Sequence, residues 1–252
     1  MIEVLNVYKS YDKKKNVIEN LNMVIRDGEI FGFLGPNGAG KTTTIKMITG
    51  ILSIDKGDIL LDGKSIVKDS IEAKKRFGFV PDSPDLFLKL KGIEYLNFIA
   101  DIYEVSKEER EQLIVYWTKK FEIYDKLNLK IQEYSHGMKQ KINIIGAILH
   151  SPKNLILDEP MVGLDPKSAF LLKDLMKEYA KNGNTVFFST HALEIAEKIC
   201  DRIGIIKNGT LIYIGTIDDL KANLKENKSL EDMFLDITET NEEDDKWEML
   251  YY

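Results

Sequence analysis

One short segment of the sequence combines glycines, a lysine and a threonine at a spacing suited to binding a polyphosphate. The segment Gly35-Pro36-Asn37-Gly38-Ala39-Gly40-Lys41-Thr42 matches the pattern G-x-x-x-x-G-K-[ST]. Glycines let backbone N–H groups turn towards phosphate oxygens without interference from a Cβ atom. In such a loop the lysine reaches the β- and γ-phosphates, and the threonine hydroxyl binds Mg²⁺. The segment predicts a nucleoside triphosphate site formed by Asn37, Gly38, Ala39, Gly40, Lys41, Thr42 and Thr43.

The expected elements on both sides of this loop support the same site. The apolar run Ile30–Leu34 predicts a buried strand before the loop, and a helix is expected over residues 43–49 after it. The positive end of that helix's dipole would face the bound phosphates. A glycine-rich turn without function is the alternative, and the strand and helix around the loop argue against it.

Two adjacent carboxylates form a second candidate for chemistry. Asp158 and Glu159 follow Leu155-Ile156-Leu157, which predicts a buried strand, and open α/β sheets bind ligands at the carboxyl ends of their strands. Asp158 suits a Mg²⁺ ligand, and Glu159 suits the orientation or deprotonation of a water molecule. A solvated turn is the alternative. The phosphate loop argues against it, because a site for a phosphate group and Mg²⁺ needs both the loop and the carboxylates.

Other strands and a helical block surround these motifs. The apolar runs 203–206 and 211–214 flank Asn208-Gly209, which predicts a β-hairpin. Further strands are expected at 2–7, 21–25, 59–61 and 186–188. Between residues 86 and 151 the periodicity is helical instead, and Ser106 with Glu109 forms a capping box before one helix.

Apolar side chains at helical spacing predict which helix faces are buried. The first helix of the block is expected to bury one face made of Ile93, Leu96, Ile99 and Ile102. A later helix shows such a face with Leu171, Leu172, Leu175, Met176 and Tyr179, and the tail repeats it with Leu230, Met233, Phe234 and Ile237.

Composition and charge narrow the possible classes of function. The 252 residues are 44% hydrophobic and 30% charged, which excludes a disordered chain, a collagen-like repeat and a membrane span. Residues 236–252 hold seven acids and one lysine, which equals the whole formal charge of −6. The neutral remainder argues against non-specific nucleic-acid binding, and the acidic end predicts a solvated tail. A single cysteine, Cys200, and the lack of a visible secretory signal indicate the cytoplasm.

Taken in order over about residues 1–215, the motifs resemble the nucleotide-binding subunit of an ATP-binding cassette (ABC) transporter. Tyr11 resembles the family's aromatic residue that stacks on adenine, and His191 in Ser189-Thr190-His191 resembles its switch histidine, which contacts the γ-phosphate. Tyr134-Ser135-His136-Gly137-Met138 stands where the family has its signature L-S-G-G-Q. Gly163-Leu164-Asp165-Pro166 is similar to the family's D-loop.

Three positions depart from the family's pattern. Asp82 stands in the Q-loop, where glutamine is usual, and can still reach Mg²⁺ or its water while adding negative charge beside the γ-phosphate. His136 replaces a signature glycine with a bulky ring, and Met138 replaces the signature glutamine. The segment Tyr-Ser-x-Gly-Met-Lys-Gln and the tail segment Ser229-Leu230-Glu231-Asp232-Met233-Phe234 resemble variants found in ABC-2 type exporters.

The resemblance implies a fold and a division into domains. The fold is an α/β P-loop NTPase (ABC ATPase) core with an antiparallel β subdomain and an inserted α-helical subdomain. The core comprises residues 1–84 and 153–222 and the helical insertion residues 85–152, so the ATPase domain spans residues 1–222. Residues 223–252 form a C-terminal extension with the acidic tail.

The resemblance also implies roles for individual residues. Catalysis falls to Glu159, His191, Lys41 and Asp82, and Mg²⁺ is bound by Thr42, Asp158 and Asp82. Two cassettes close head to tail over two ATP molecules, with Ser135 and Gly137 of one chain at the γ-phosphate held by Lys41 of the other. Asp165 would contact the second cassette, or would only cap the helix that begins at Pro166.

The implied function is ATP hydrolysis that powers transport, with export as the direction. The implied partners are a second ATPase subunit, identical or paralogous, and a membrane permease bound near residues 82–95 on the inner face of the cell membrane. No nucleic acid is expected as a partner. Two alternatives remain open: a soluble ABC ATPase acting on nucleic acid or ribosomes, and a regulatory ATP-binding module with little hydrolysis, which Asp82 and His136 keep possible.

Overall fold

Two β-sheets share an apolar core in the computed structural model, which describes residues 1–11, 16–223 and 230–239. In chain order the strands are β1 (Ile2–Ser10), β2 (Asn16–Ile25), β3 (Ile30–Leu34), β4 (Lys56–Leu61), β5 (Lys64–Ser65), β6 (Phe77–Val80), β7 (Asn154–Asp158), β8 (Thr185–Thr190), β9 (Arg202–Lys207) and β10 (Thr210–Gly215). One sheet is antiparallel and has the strand order β2-β1-β4-β5. The second sheet has the strand order β10-β9-β3-β8-β7-β6. The structure is thus α/β with an antiparallel and a mainly parallel sheet, as expected.

The second sheet is parallel except at one edge. Strand β3 pairs in parallel with β8 and β9, and β7 pairs in parallel with β6 and β8. The hairpin predicted around Asn208-Gly209 is confirmed, because β10 runs antiparallel to β9 with Thr210 opposite Lys207. Strands β3, β7 and β8 are buried along their whole length, which explains the apolar runs at 30–34, 155–157 and 186–188.

The helices are α1 (Lys41–Ile48), α2 (Ser70–Lys74), α3 (Gly92–Ile102), α4 (Lys107–Lys120), α5 (His136–Ile148), α6 (Pro166–Lys181), α7 (Leu193–Ile199), α8 (Ile217–Asn223) and α9 (Leu230–Glu239). The helical character predicted between residues 86 and 151 is confirmed by α3, α4, α5 and two short 3-10 helices. Ser106 caps α4, since its hydroxyl accepts the N–H of Glu109 at 3.2 Å. Among the described residues, none of the helices has the length and the hydrophobicity that a bilayer span requires.

The face predicted for the first of these helices is wrong in part. Helix α3 buries Tyr95, Leu96 and Ala100, whereas Ile102 is 53% exposed. The predicted residues are spaced three apart, and each step of three residues is a rotation of about 300°. The four side chains therefore do not share one face, and Ile102 lies on the opposite side of the helix from Ile93.

The two later faces are placed as predicted where the structure describes them. Helix α6 buries Leu172, Leu175 and Met176, with Leu171 and Tyr179 half-buried beside them. In α9, Leu230 and Met233 are buried against a cluster that includes Ala196 of α7. The side chain of Ile237 and the acidic tail beyond residue 239 lie outside the described residues.

Candidate functional site

A cavity of about 340 Å³ lies at the carboxyl ends of the central parallel strands. The loops after β3, β6, β7 and β8 meet there, and each contributes a predicted site residue. The residues that line the cavity are Val17, Asn37, Gly38, Gly40, Lys41, Thr42, Thr43, Asp82, Glu159, Val162 and His191. Motifs that are more than 150 residues apart in the chain therefore surround one space.

The loop between β3 and α1 has a backbone that needs its glycines. Gly38 and Gly40 have φ values of 80° and 111°, in the left-handed region that other residues avoid. A Cβ atom at Gly35 would lie 2.5 Å from the carbonyl oxygen of Ile206, so the loop packs directly on the neighbouring strand. Gly40 is the N-cap of α1 and has no side chain to cap it, which leaves the first N–H groups of the helix to a ligand.

The Lys41 side chain lies inside this loop. Its Nζ donates to the carbonyl oxygens of Gly35 at 2.7 Å and Pro36 at 3.2 Å, and the residue is buried. Burial lowers the pKa of Lys41, and the nearby carboxylates of Glu159 and Asp158 oppose that shift. Its Nζ therefore lies at the centre of the loop, where it can pair with phosphate oxygens.

Asp158 lies beneath the cavity as the last residue of β7. Its Oδ1 accepts a hydrogen bond from the Ser189 hydroxyl at 2.6 Å. Burial raises the pKa of Asp158, while the hydroxyls of Ser189 and the nearby Thr42 partly offset that rise. The residue therefore sits between the phosphate loop and strand β8.

The oxygen atoms of Thr42 and Asp158 suit Mg²⁺, a hard cation that prefers oxygen ligands. Asp82 lines the same cavity and is close enough to raise the pKa of Asp158 through its charge. Among the described residues there is no cluster of three or more His, Cys, Asp or Glu side chains that could hold a metal alone.

Contacts hold Glu159 at its backbone and at its side-chain carboxylate. Its φ is 47°, an uncommon value for a residue with a side chain, and its N–H donates to the Ser189 hydroxyl at 3.0 Å. Its Oε2 lies 3.0 Å from Nδ1 of His191. The His191 side chain is 64% exposed, so it forms the outer wall of the cavity.

Tyr11 lies beside the loop and is 64% exposed. Its hydroxyl is 3.3 Å from Oγ1 of Thr43, which places the ring next to the start of α1. Residues 12–15, which follow it, are outside the described ranges. An exposed ring at this position is available to stack on a base.

Ser135 and Gly137 do not line the cavity of their own chain. Ser135 is the N-cap of α5 and accepts the N–H of Met138 at 3.3 Å. A Cβ atom at Gly163 would lie 2.0 Å from Cδ2 of His136, so the His136 ring packs against the Gly163 backbone. The bulky ring that departs from the family's signature is thus accommodated next to the D-loop of the same chain.

Three residues near the predicted site residues were not anticipated. Val17 and Val162 line the cavity, and Ser189 joins Asp158 to Glu159. Val17 and Val162 have ordinary apolar side chains that nothing in the sequence marks. Ser189 stands two positions before His191, but its two contacts depend on strand pairing that one sequence does not reveal.

Comparisons with known proteins cover most of the chain. Residues 18–162 match the family model described as ABC transporter. The chain is 38% identical over 224 residues to the linearmycin resistance ATP-binding protein LnrL of Bacillus subtilis, covering 89% of this chain and 72% of that protein. It is 36% identical over 212 residues to the SkfA peptide export ATP-binding protein SkfE of the same organism, covering 84% and 87%.

Solved structures agree with these sequence matches. The structure of an ATP binding subunit of an ABC transporter has a TM-score of 0.90 and 32% identity, covering 94% of this chain and 99% of that chain. The dimeric structure of the ATP-binding cassette MJ0796 in a post-hydrolysis state, bound to ADP and Pi, has a TM-score of 0.77 and 26% identity, covering 86% and 99%.

Proposed function

Because this chain belongs to the ABC transporter family, whose ATP-binding cassettes are ATPases, we propose that it powers a separate membrane permease by hydrolysing ATP. The observation that carries this proposal is the convergence of Lys41, Glu159 and His191 on one cavity. Export as the direction is supported by the similarity to SkfE, which is named for peptide export, and by the exporter-like segments at 134–140 and 229–234.

We assign nucleotide binding to the loop and to Tyr11. The backbone N–H groups of residues 37–43 and the Lys41 ammonium bind the phosphates, and the Tyr11 ring stacks on adenine. Thr42, Asp158 and Asp82 hold Mg²⁺, which when bound neutralises charge on the phosphate oxygens. The proximity of Thr42 to Asp158, which lowers the pKa of that carboxyl, supports this role.

Glu159 is the residue we assign to the attacking water. Its carboxylate lines the cavity and its Oε2 is held by Nδ1 of His191, so it can accept a proton from a water in line with the γ-phosphate. The exposed edge of His191 is left to contact the γ-phosphate. Both groups are positioned by strand ends, which restricts their movement.

A second ATPase subunit, identical or paralogous, completes the site. Ser135 and Gly137 do not line the cavity of their own chain, which supports contact with the ATP held by a facing cassette. The similar cassette MJ0796 forms a dimer. One loop supplies only part of the charge stabilisation that phosphoryl transfer needs, and a second subunit supplies more.

The permease is proposed to bind near residues 82–95. Phe87 is 46% exposed, and its ring lies 5.5 Å from the rings of Tyr95 and Phe98, so aromatic surface is available there. Through this contact the chain would be held on the cytoplasmic face of the membrane.

We propose the division into domains stated above, with an ATPase domain at 1–222, its helical insertion at 85–152 and an extension from 223.

A Glu159→Gln variant tests the function. It is expected to bind ATP, to hydrolyse it about 10²–10⁴-fold more slowly and to accumulate as an ATP-dependent dimer. Phosphate release and size-exclusion chromatography with and without ATP measure these effects. Glu178→Gln makes the same chemical change on the exposed surface of α6 and serves as the control.

Several outcomes would contradict the proposal. Normal turnover by Glu159→Gln would remove Glu159 from the role of base. Wild-type protein that binds ATP without releasing phosphate would favour the regulatory alternative. Stimulation of hydrolysis by nucleic acid, with no membrane protein recovered from detergent extracts, would favour the soluble alternative.

A further inference from the structure

Ser189 is a fully buried polar residue that contacts the carboxylate of Asp158 and the backbone of Glu159. It lies in β8, directly opposite Asp158 of the parallel strand β7, and no part of it is exposed to solvent. Buried polar groups need hydrogen-bond partners, and a hydroxyl offers one donor and two acceptor positions. The partners of this hydroxyl therefore define what the residue does.

The hydroxyl of Ser189 makes one bond to each of two successive residues. It donates to Oδ1 of Asp158 at 2.6 Å, because an ionised carboxylate only accepts. It accepts the backbone N–H of Glu159 at 3.0 Å, because an N–H only donates. The two bonds use the hydroxyl in opposite senses, so neither competes with the other.

The backbone of Glu159 is the part that needs support. Its φ of 47° lies in the left-handed region, which is unfavourable for a residue with a Cβ atom and persists only where surrounding contacts fix it. The Ser189 hydroxyl bonds the N–H of this residue, and Val162 donates its N–H to the Glu159 carbonyl oxygen at 3.2 Å. The direction of the Glu159 side chain depends on this backbone.

We propose that Ser189 is a positioning residue for ATP hydrolysis, which orients Asp158 through its carboxylate and Glu159 through its backbone. The inference rests on the proposed roles of those two residues. Ser189 and His191 are two positions apart on one strand end, and they hold Glu159 at its N–H and at its carboxylate. Together they keep that carboxylate facing the cavity.

Valine and threonine provide a matched pair that isolates the hydroxyl. The two side chains have nearly the same shape and both suit a strand, but only threonine keeps the hydroxyl. Ser189→Val is expected to lower kcat about 10- to 100-fold, as is usual when a group that orients a site residue is lost. Ser189→Thr is expected to retain most of the wild-type kcat, provided that thermal unfolding shows both variants folded.

Nucleotide binding supplies a measurement that does not depend on turnover. In EDTA, ATP binds through the loop, so Ser189→Val should bind it like wild type. With Mg²⁺ present, the same variant should show a smaller gain in affinity than wild type and Ser189→Thr, because Asp158 is less well oriented. Ser189→Ala repeats these measurements if the added methyl groups prevent folding.

A double variant separates failure of this inference from failure of the proposed function. Adding Ser189→Val to Glu159→Gln should lower kcat by a smaller factor than adding it to wild type, because the part of the effect that acts through Glu159 is already lost. Ser189→Val with wild-type kcat and wild-type Mg²⁺ dependence, alongside an inactive Glu159→Gln, would overturn the inference alone. Full activity of Glu159→Gln would instead overturn the proposed function.

Discussion

The imidazole Nδ1 of His191 lies 3.0 Å from Oε2 of Glu159, and the two residues follow the ends of adjacent parallel strands. Glu159 comes directly after β7 and His191 directly after β8. A neutral imidazole donates through one ring nitrogen, so it can hold the carboxylate without neutralising it. The contact leaves the carboxylate able to act as a base.

Replacing His191 by alanine should therefore slow hydrolysis. We expect His191→Ala to reduce kcat about 10- to 100-fold, because Glu159 loses the group that orients it and ATP loses its proposed γ-phosphate contact. His191→Asn places an amide donor near the position of Nδ1 and should retain more activity. Steady-state phosphate release over a range of ATP concentrations gives kcat and KM. Equal kcat values for His191→Ala and wild type would contradict the proposed contact.

Tyr11 predicts a separate effect on nucleotide affinity. Tyr11→Ala should weaken ATP binding by about 1–3 kcal/mol, the usual contribution of a base stacked on an aromatic ring. Tyr11→Phe removes only the hydroxyl that lies 3.3 Å from Oγ1 of Thr43 and should bind ATP nearly as well as wild type. Isothermal titration calorimetry measures both variants. Equal weakening of inorganic triphosphate binding would show that the ring acts on the loop and not on the base.

The sequence was sufficient for the parts of this site that are local in the chain. The sequence predicts the phosphate loop between Ile30–Leu34 and α1, because its glycines and Lys41 stand close together at a spacing typical of such loops. The sequence does not predict strand β6, because Phe77–Val80 is short and contains a glycine. It is nevertheless the strand that delivers Asp82 to the cavity.

Contacts between distant segments were beyond what one sequence reveals. Ser189 meets Asp158 and Glu159 only because β7 and β8 pair in one register. The packing of His136 against Gly163 likewise depends on how α5 lies beside the D-loop. Local patterns give the motifs, whereas strand pairing and helix packing decide which motifs touch.

Asp165 caps helix α6, as one of the two sequence-based interpretations proposed. Its Oδ1 accepts the N–H of Ser168 at 3.0 Å, its Oδ2 accepts the Ser168 hydroxyl at 2.7 Å, and Lys141 lies 2.9 Å from the same carboxylate. The hydrogen bonds from Ser168, with that from Lys141, hold the pKa of Asp165 well below its usual range. A contact with a second cassette stays a prediction.

Loss of this cap should destabilise the single chain. Asp165→Ala is expected to lower the free energy of unfolding by about 1 kcal/mol, whereas Asp165→Asn, also a good cap, should lower it less. Asp174→Ala removes the same charge from the middle of α6 and is the control. Urea denaturation without nucleotide measures all three variants. A cap-independent role would be indicated if Asp165→Ala unfolded like wild type but no longer formed the ATP-dependent dimer.

His150 lies far from the site and links three elements. Its ring stacks on Tyr103 at the end of α3, with the ring centroids 3.5 Å apart, and its Nε2 is 3.2 Å from the carbonyl oxygen of Phe77 in β6. Its Nδ1 is buried without a hydrogen-bond partner. Burial lowers the pKa of His150 from 6.5 to about 4, and the Phe77 carbonyl only partly opposes this shift.

This shift predicts that the folded chain loses stability in mild acid. The unfolded chain takes up a proton on His150 near pH 6.5 and the folded chain only near pH 4, so stability is complete above the first value and falls towards the second. The loss attributable to this residue should approach about 3 kcal/mol. His150→Phe keeps the stack on Tyr103 but cannot titrate. Between neutral pH and pH 4, its free energy of unfolding, measured with urea, should therefore decrease by about 3 kcal/mol less than that of wild type. Parallel losses in wild type and variant would show that His150 keeps its ordinary pKa in the folded chain.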